Sequence, residues 1–176
     1  NYLKRKINVE YDYHDEVMIT VGGSEAIDIA MRAMVNPGEE VLIPQPSYVS
    51  YVPCAQLIYA VPKVIELKEE NEFRLTKQEL LDAITDKTKM LVLPFPNNPT
   101  GAIMEEEDLE EIAKVCVEKD IFVLSDEIYS ELTYKGKHIS IASMPGMRER
   151  TVVINGFSKA YAMTGWRLGY AAAPKE

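Results

Sequence analysis

Several residues in this chain are of the types that covalent and acid–base chemistry needs. Lys159 lies in Phe157-Ser158-Lys159-Ala160-Tyr161, an amine among apolar and aromatic neighbours. Desolvation lowers a lysine's pKa and makes it nucleophilic, which sets such a lysine apart from an ordinary surface one. Asp126 follows the apolar run Ile121-Phe122-Val123-Leu124, where an unpaired carboxylate is costly to bury. Tyr129 comes three residues later, so a helical turn would put both on one side. Capping of a short helix is the competing account of Asp126. Gly22-Gly23-Ser24 joins two residues that let backbone approach a ligand closely to the free amides of a helix start, which attract anions. A tight strand-to-helix turn explains those three residues equally well. Asn98, in Pro96-Asn97-Asn98-Pro99-Thr100-Gly101, offers an amide, and Arg167 a second cation beyond Lys159.

The elements that must position these groups are legible in the hydrophobic pattern. Residues 17–21, 41–43, 61–67, 90–95, 121–124, 151–154 and 168–172 read as about seven buried strands. Between them lie helical patterns over residues 24–35, 48–60 and 105–119. The first is closed by Asn36-Pro37-Gly38, and the second contains Pro53, which is tolerated only near a first turn. Thr76-Lys77-Gln78-Glu79 is a capping box that opens a further helix carrying Leu80, Leu81 and Ile84. Leu109, Ile112, Ala113 and Cys116 share one helix face. Such an alternation predicts a three-layer α/β/α fold on a mostly parallel sheet, all 176 residues forming one domain. In open α/β sheets, ligands bind outside the carboxyl ends of the strands. Gly22-Gly23-Ser24 follows the first strand, Asn98 the fourth, Ser125-Asp126-Glu127 the fifth and Ser158-Lys159 the sixth. Glycine turn, amide, carboxylate and lysine thus converge on one edge.

Bulk properties narrow the function classes. A net charge of -9 leaves no basic patch for nucleic acid, and no apolar run reaches the roughly 20 residues of a membrane-spanning helix. The acidic run Glu105-Glu106-Glu107-Asp108 with Glu110-Glu111 reads as a solvated helix face with a favourable first turn. His14 and His138 stand in no metal-ligand spacing, so no metal site is expected. Cys54 and Cys116 make no disulfide framework and read as small core residues in a cytoplasmic protein.

Asn98-Pro99-Thr100-Gly101, Ser125-Asp126-Glu127-Ile128-Tyr129 and Ser158-Lys159 through Gly165-Trp166-Arg167 occur in the order found in the class I/II aminotransferases. The chain resembles that family, fold-type I pyridoxal-phosphate enzymes of the aspartate aminotransferase superfamily, from about Val17 to Pro174. The resemblance implies pyridoxal 5′-phosphate as cofactor, held by Lys159 as a Schiff base, with the freed amine moving a proton at the substrate Cα. It makes Asp126 the partner of the pyridine nitrogen, and Asn98 and Tyr129 the donors to the ring oxygen. Tyr48 becomes the stacked aromatic. Gly23, Ser24, Glu25 (by its backbone amide), Ser158 and Arg167 form the phosphate cup. Asn98–Pro99 is a candidate cis bond.

The chain departs from the family pattern at Gly156, where relatives often carry a serine or threonine three residues before the lysine. It also departs in length, relatives being about twice as long. The expectation is a large-domain fragment without the N-terminal segment and C-terminal small domain, inactive alone. The arginine that binds the substrate's α-carboxylate is expected outside it, a role not assigned to Arg167. Amino-group transfer between an amino acid and a 2-oxo acid, in amino-acid metabolism and biosynthesis, by a homodimer, is the expected activity. A carbon–sulfur β-lyase on the same scaffold is the alternative, and a non-catalytic ligand-sensing domain a more distant one. Tyr51 and Tyr134 are candidates for the substrate side-chain pocket.

Overall fold

A computed structural model describes residues 2–175. The strands β1 (Val17–Val21), β2 (Glu40–Gln45), β3 (Val61–Glu66), β4 (Thr88–Leu93), β5 (Phe122–Asp126), β6 (Thr151–Gly156) and β7 (Leu168–Ala172) form one sheet. Their order is β1-β7-β6-β5-β4-β2-β3. Only β7 runs against its neighbours, pairing antiparallel with β1 and β6; the other pairs are parallel. This is the mostly parallel seven-stranded α/β sheet that the pattern predicts.

Successive side chains on a strand point to opposite faces, and here that alternation builds two cores. Val41 and Ile43, Met90 and Val92, Leu124, Val152 and Ile154 face one side. Against them pack Ala26, Ile27, Ala30 and Met31 of α2 (Gly22–Met34) and Tyr51 and Ala55 of α3 (Tyr51–Leu57). Leu42, Leu91, Leu93 and Val123 face the other side. Leu80 of α4 (Lys77–Ala83) and Leu109, Ile112 and Cys116 of α5 (Glu106–Glu118) cover them. Each fully buried Leu or Ile contributes about 1.5–3 kcal/mol relative to an exposed one. A smaller cluster of Val153 and Ala172 lies beside Ile7, at the end of α1 (Tyr2–Ile7).

Several boundaries differ from the sequence expectation. β5 runs on through Ser125 and Asp126 instead of stopping at Leu124, because both residues keep their ladder partners, Val153 and Ile154 on β6. β4 starts earlier, at Thr88, and ends at Leu93, before Pro94. The helix expected over residues 48–60 is reduced to Tyr51–Leu57, with Pro53 third, where the missing amide breaks no helical bond. Tyr48 therefore lies ahead of the helix. α1 carries no apolar periodicity long enough to announce it. Cys116 is buried as expected, whereas Cys54 is only partly covered.

Candidate active site

Strand register sets the positions of the site residues. Val21 pairs with Leu168, so the antiparallel β7 begins where β1 ends, and Arg167 stands beside Gly22. Gly156 pairs with Gly169, which brings Ser158 and Lys159 to the same edge. Two of these contacts demand glycine. A Cβ on Gly22, whose φ is +75°, would overlap the Arg167 guanidinium. A Cβ on Gly169 would lie 2.6 Å from the Gly23 nitrogen. β7 is thus packed directly against the backbone that opens α2.

That helix start has no side-chain cap, so its first amides remain free. The Glu25 carboxylate turns back to accept from Val21 N at 2.6 Å, leaving the backbone amide as its donor in this turn. Arg167 itself takes a left-handed conformation (φ 50°) and donates Nη1 to the Thr164 carbonyl at 3.1 Å. Free amides, helix dipole and guanidinium together make an anion-binding corner.

At the far end of the pocket stands Asp126, buried on β5. Alternation sends Asp126 to the face covered by α3, and Ser125 and Glu127 to the opposite face. Asp126 Oδ1 accepts from Ile128 N at 3.1 Å and Oδ2 from the Tyr51 hydroxyl at 2.8 Å. Burial raises its carboxyl above the ordinary range, and these two hydrogen bonds oppose the rise. Burial, then the Asp126 charge, push the Tyr51 phenol well up, so it remains a donor. Tyr48 meets Tyr51 edge-on, ring centroids 5.8 Å apart. The Ser50 and Ser24 hydroxyls hold the Tyr48 phenol below its ordinary value.

One pocket of about 270 Å³ gathers Gly23, Ser24, Tyr48, Asn98, Asp126, Tyr129, Ser158, Lys159 and Arg167. Of the residues expected to hold the cofactor, Glu25 alone is not in its lining. Asn98 Nδ2 reaches Tyr129 OH at 3.5 Å across a cis Asn98–Pro99 bond, and Lys159 Nζ lies 5.5 Å from the Tyr129 ring centroid. Lys159 is exposed on this chain, so the desolvation inferred from its apolar neighbours is not supplied by the described residues. Tyr134 is 97% exposed and lies outside the pocket. Tyr51 lines the pocket, but its hydroxyl is engaged by Asp126 rather than presented to a substrate side chain. That role was missed in the sequence, although the spacing Tyr48, Tyr51 is the signal that carries it. Thr164 and Ile27 also line the pocket without having been singled out.

A larger open cavity of about 870 Å³ lies on the other face, beside α1. Both of its carboxylates are already paired: Glu131 with Lys6 at 2.7 Å and the buried Glu127 with His138 at 2.8 Å. Glu127 also accepts from Ser125 at 3.0 Å and from Ser140, pinning the turn before β6 to the end of β5. The smaller pocket is the one that joins the open start of α2 and Arg167 to a buried carboxylate and an amine. Its donor set fits pyridoxal phosphate, with an anion corner for the phosphate, a buried carboxylate for the ring nitrogen and an amine for the aldehyde.

The family model described as aminotransferase class I and II matches residues 1–176. The aspartate aminotransferase of Pyrococcus abyssi is 50% identical over 173 residues, which are 98% of this chain and 44% of that protein. The aromatic-amino-acid aminotransferase 2 of Thermococcus litoralis is 48% identical over 173 residues, again 98% and 44%. The crystal structure of an aromatic aminotransferase from Pyrococcus horikoshii superposes with a TM-score of 0.96 at 48% identity, covering 98% of this chain and 47% of that one. The chain therefore spans less than half the length of the relatives it matches.

Proposed function

The chain belongs to the class I and II aminotransferases, and from that premise we propose that it is the cofactor-binding large domain of a pyridoxal-phosphate-dependent aminotransferase. The observation that carries the reading is the single pocket that holds Lys159, Asp126 and the Arg167 corner together. Bound pyridoxal phosphate supplies a reactive aldehyde carbon and a ring that accepts electrons.

The chain's own residues supply the rest. The amides of Gly23, Ser24 and Glu25, the Ser158 hydroxyl and the Arg167 fork hold the phosphate. Asp126 accepts the ring N–H, and its charge keeps that nitrogen protonated. Asn98 and Tyr129 donate to the ring oxygen, while Tyr48 covers the ring face. Lys159 would hold the cofactor through its aldehyde carbon, and its amine, when free, would move a proton at the substrate Cα.

The substrates of the whole protein are then an amino acid and a 2-oxo acid. The relatives' names point to aspartate-like or aromatic side chains. We place the protein in the cytoplasm as a homodimer; among the described residues no helix is long and apolar enough to cross a membrane.

Absorbance of the protein mixed with pyridoxal phosphate tests the reading. A visible band that borohydride fixes to the protein, and that Lys159→Ala abolishes, is the expected outcome. A band that survives in Lys159→Ala would sink the assignment of the amine.

A further inference from the structure

Asn98 presents its amide from a stretch of chain that belongs to no strand or helix. β4 ends at Leu93 and α5 begins at Glu106, so the segment between them needs hydrogen bonds of its own. Most of the bonds inside it converge on Asn97, which is 5% exposed. Its backbone N donates to the Ala102 carbonyl at 2.9 Å, and its carbonyl accepts from Gly101 N at 2.9 Å. Its side-chain Oδ1 accepts from Thr100 N at 3.3 Å and from the Thr100 hydroxyl at 3.0 Å. The same hydroxyl accepts from Ala102 N at 3.2 Å, which closes the loop on itself. Nδ2 of Asn97 is buried and bonds nothing among the described residues, so Oδ1 is the atom that ties this side chain to the loop. Asn97 lines a separate cavity with Arg74 and Tyr134, whereas Asn98 lines the pocket. Neighbours in sequence thus divide the work, one holding the loop and one facing the site.

We propose that Asn97 is a positioning residue, acting through its Oδ1 bonds to Thr100 to hold the Asn98 amide where it donates to the ring oxygen of the cofactor. The inference rests on the reading of Asn98 as that donor. Asn98 Nδ2 reaches Tyr129 OH only at 3.5 Å, the outer limit of a hydrogen bond, so that contact does not fix it. The loop must do so, because a group that acts on a cofactor has to be kept within about 0.5 Å of its place. With cofactor bound at Lys159, the ring oxygen also attracts the proton on the nitrogen they share. A donor that takes up part of the oxygen's charge loosens that proton, and a displaced donor leaves it held more tightly. Asn97→Ser keeps a side-chain oxygen that accepts from the Thr100 amide and lacks the stranded Nδ2, whereas Asn97→Ala has neither.

The test loads the full-length protein with pyridoxal 5′-phosphate and follows the visible band against pH, the band fading as that proton leaves. Asn98→Ala removes the donor itself and is expected to raise the midpoint by about one pH unit. Asn97→Ala is expected to raise it by about half as much, and Asn97→Ser to leave it within about 0.2 unit of the unmodified protein. Should Asn97→Ala not fold, Thr100→Val deletes the hydroxyl at the other end of the same bond and is expected to raise the midpoint too. A midpoint that stays put in Asn97→Ala, or in Thr100→Val where it takes its place, would mean that Asn97 merely supports the fold and overturns the proposal. An equal rise in Asn97→Ser and Asn97→Ala overturns it as well, since Oδ1 would then not be the atom that matters. A midpoint unmoved by Asn98→Ala would refute the reading of Asn98 as the donor, and the proposal with it. Absence of any visible band in the unmodified protein would instead refute the cofactor reading itself.

Discussion

At the scale of single residues, the departure at Gly156 has a steric cause. A Cβ there would lie 2.9 Å from the Leu168 carbonyl oxygen and 3.0 Å from the Gly169 Cα. Both are backbone atoms of the paired strand and have nowhere to go. Gly156→Ser should therefore destabilise the protein by about 1–3 kcal/mol. Denaturant unfolding reads this as a lower midpoint at unchanged slope; an unchanged midpoint would contradict the packing argument. The substitution is not expected to add a phosphate ligand, because the displaced strand carries Arg167 with it. The residues with chemistry were largely visible in the sequence, since Lys159, Asp126, Asn98 and Arg167 each follow or flank a recognisable strand. Tyr51 was visible only as a residue near the pocket. Its hydroxyl's partner depends on which face of β5 Asp126 occupies and on where α3 begins, and the sequence pattern had placed both boundaries wrongly.

At the scale of elements, capping chemistry was the most readable feature. Thr76 accepts from Glu79 N at 3.3 Å while Glu79 accepts from Thr76 N at 3.0 Å, the reciprocal box that the four residues announce. The acidic start of α5 does more than face water. Asp108 accepts from Glu105 N and from Arg74, and Glu111 bridges Lys77 of α4 and Lys114 of α5, each at 2.6 Å. These two lysines hold the Glu111 carboxyl at about 2, against an ordinary 4.5. The contribution is complete above the unfolded value and is lost as pH falls from about 4.5 toward about 2. Glu111→Gln is therefore expected to lower the unfolding midpoint at pH 7, with the difference closing in acid and shrinking in high salt, as for any exposed pair. A gap that persists at pH 2 would mean that packing, not charge, holds these helices together. Which helices a cluster of charges joins depends on tertiary contact, so the sequence showed the acidic face but not its partners.

At the scale of the whole molecule, layer architecture followed from alternation and periodicity, while strand order did not. Nothing local in Leu168–Ala172 says that it inserts between β1 and β6. The insertion is required by the close packing of Gly169 on Gly22 and Gly23, a contact between residues nearly 150 positions apart. The consequence is a pocket with a complete floor and an open mouth. Asp126 is buried and doubly bonded, whereas Lys159 and Arg167 are exposed and Trp166, between them in sequence, is 74% exposed. Holding a cofactor needs the floor and the anion corner; moving a proton at a substrate carbon also needs an enclosure that excludes water. The 176-residue chain alone should therefore bind pyridoxal phosphate, with a visible band that borohydride fixes at Lys159, and yet transfer no amine. Mixing the chain with cofactor, an amino acid and a 2-oxo acid, and measuring both the band and the new amino acid, separates the two abilities. Appreciable transfer would show that the exposed mouth suffices for catalysis, and the role given to enclosure would have to be abandoned. Absence of the band in the isolated chain, with the band present in the longer protein, would instead place part of the cofactor's hold outside these residues.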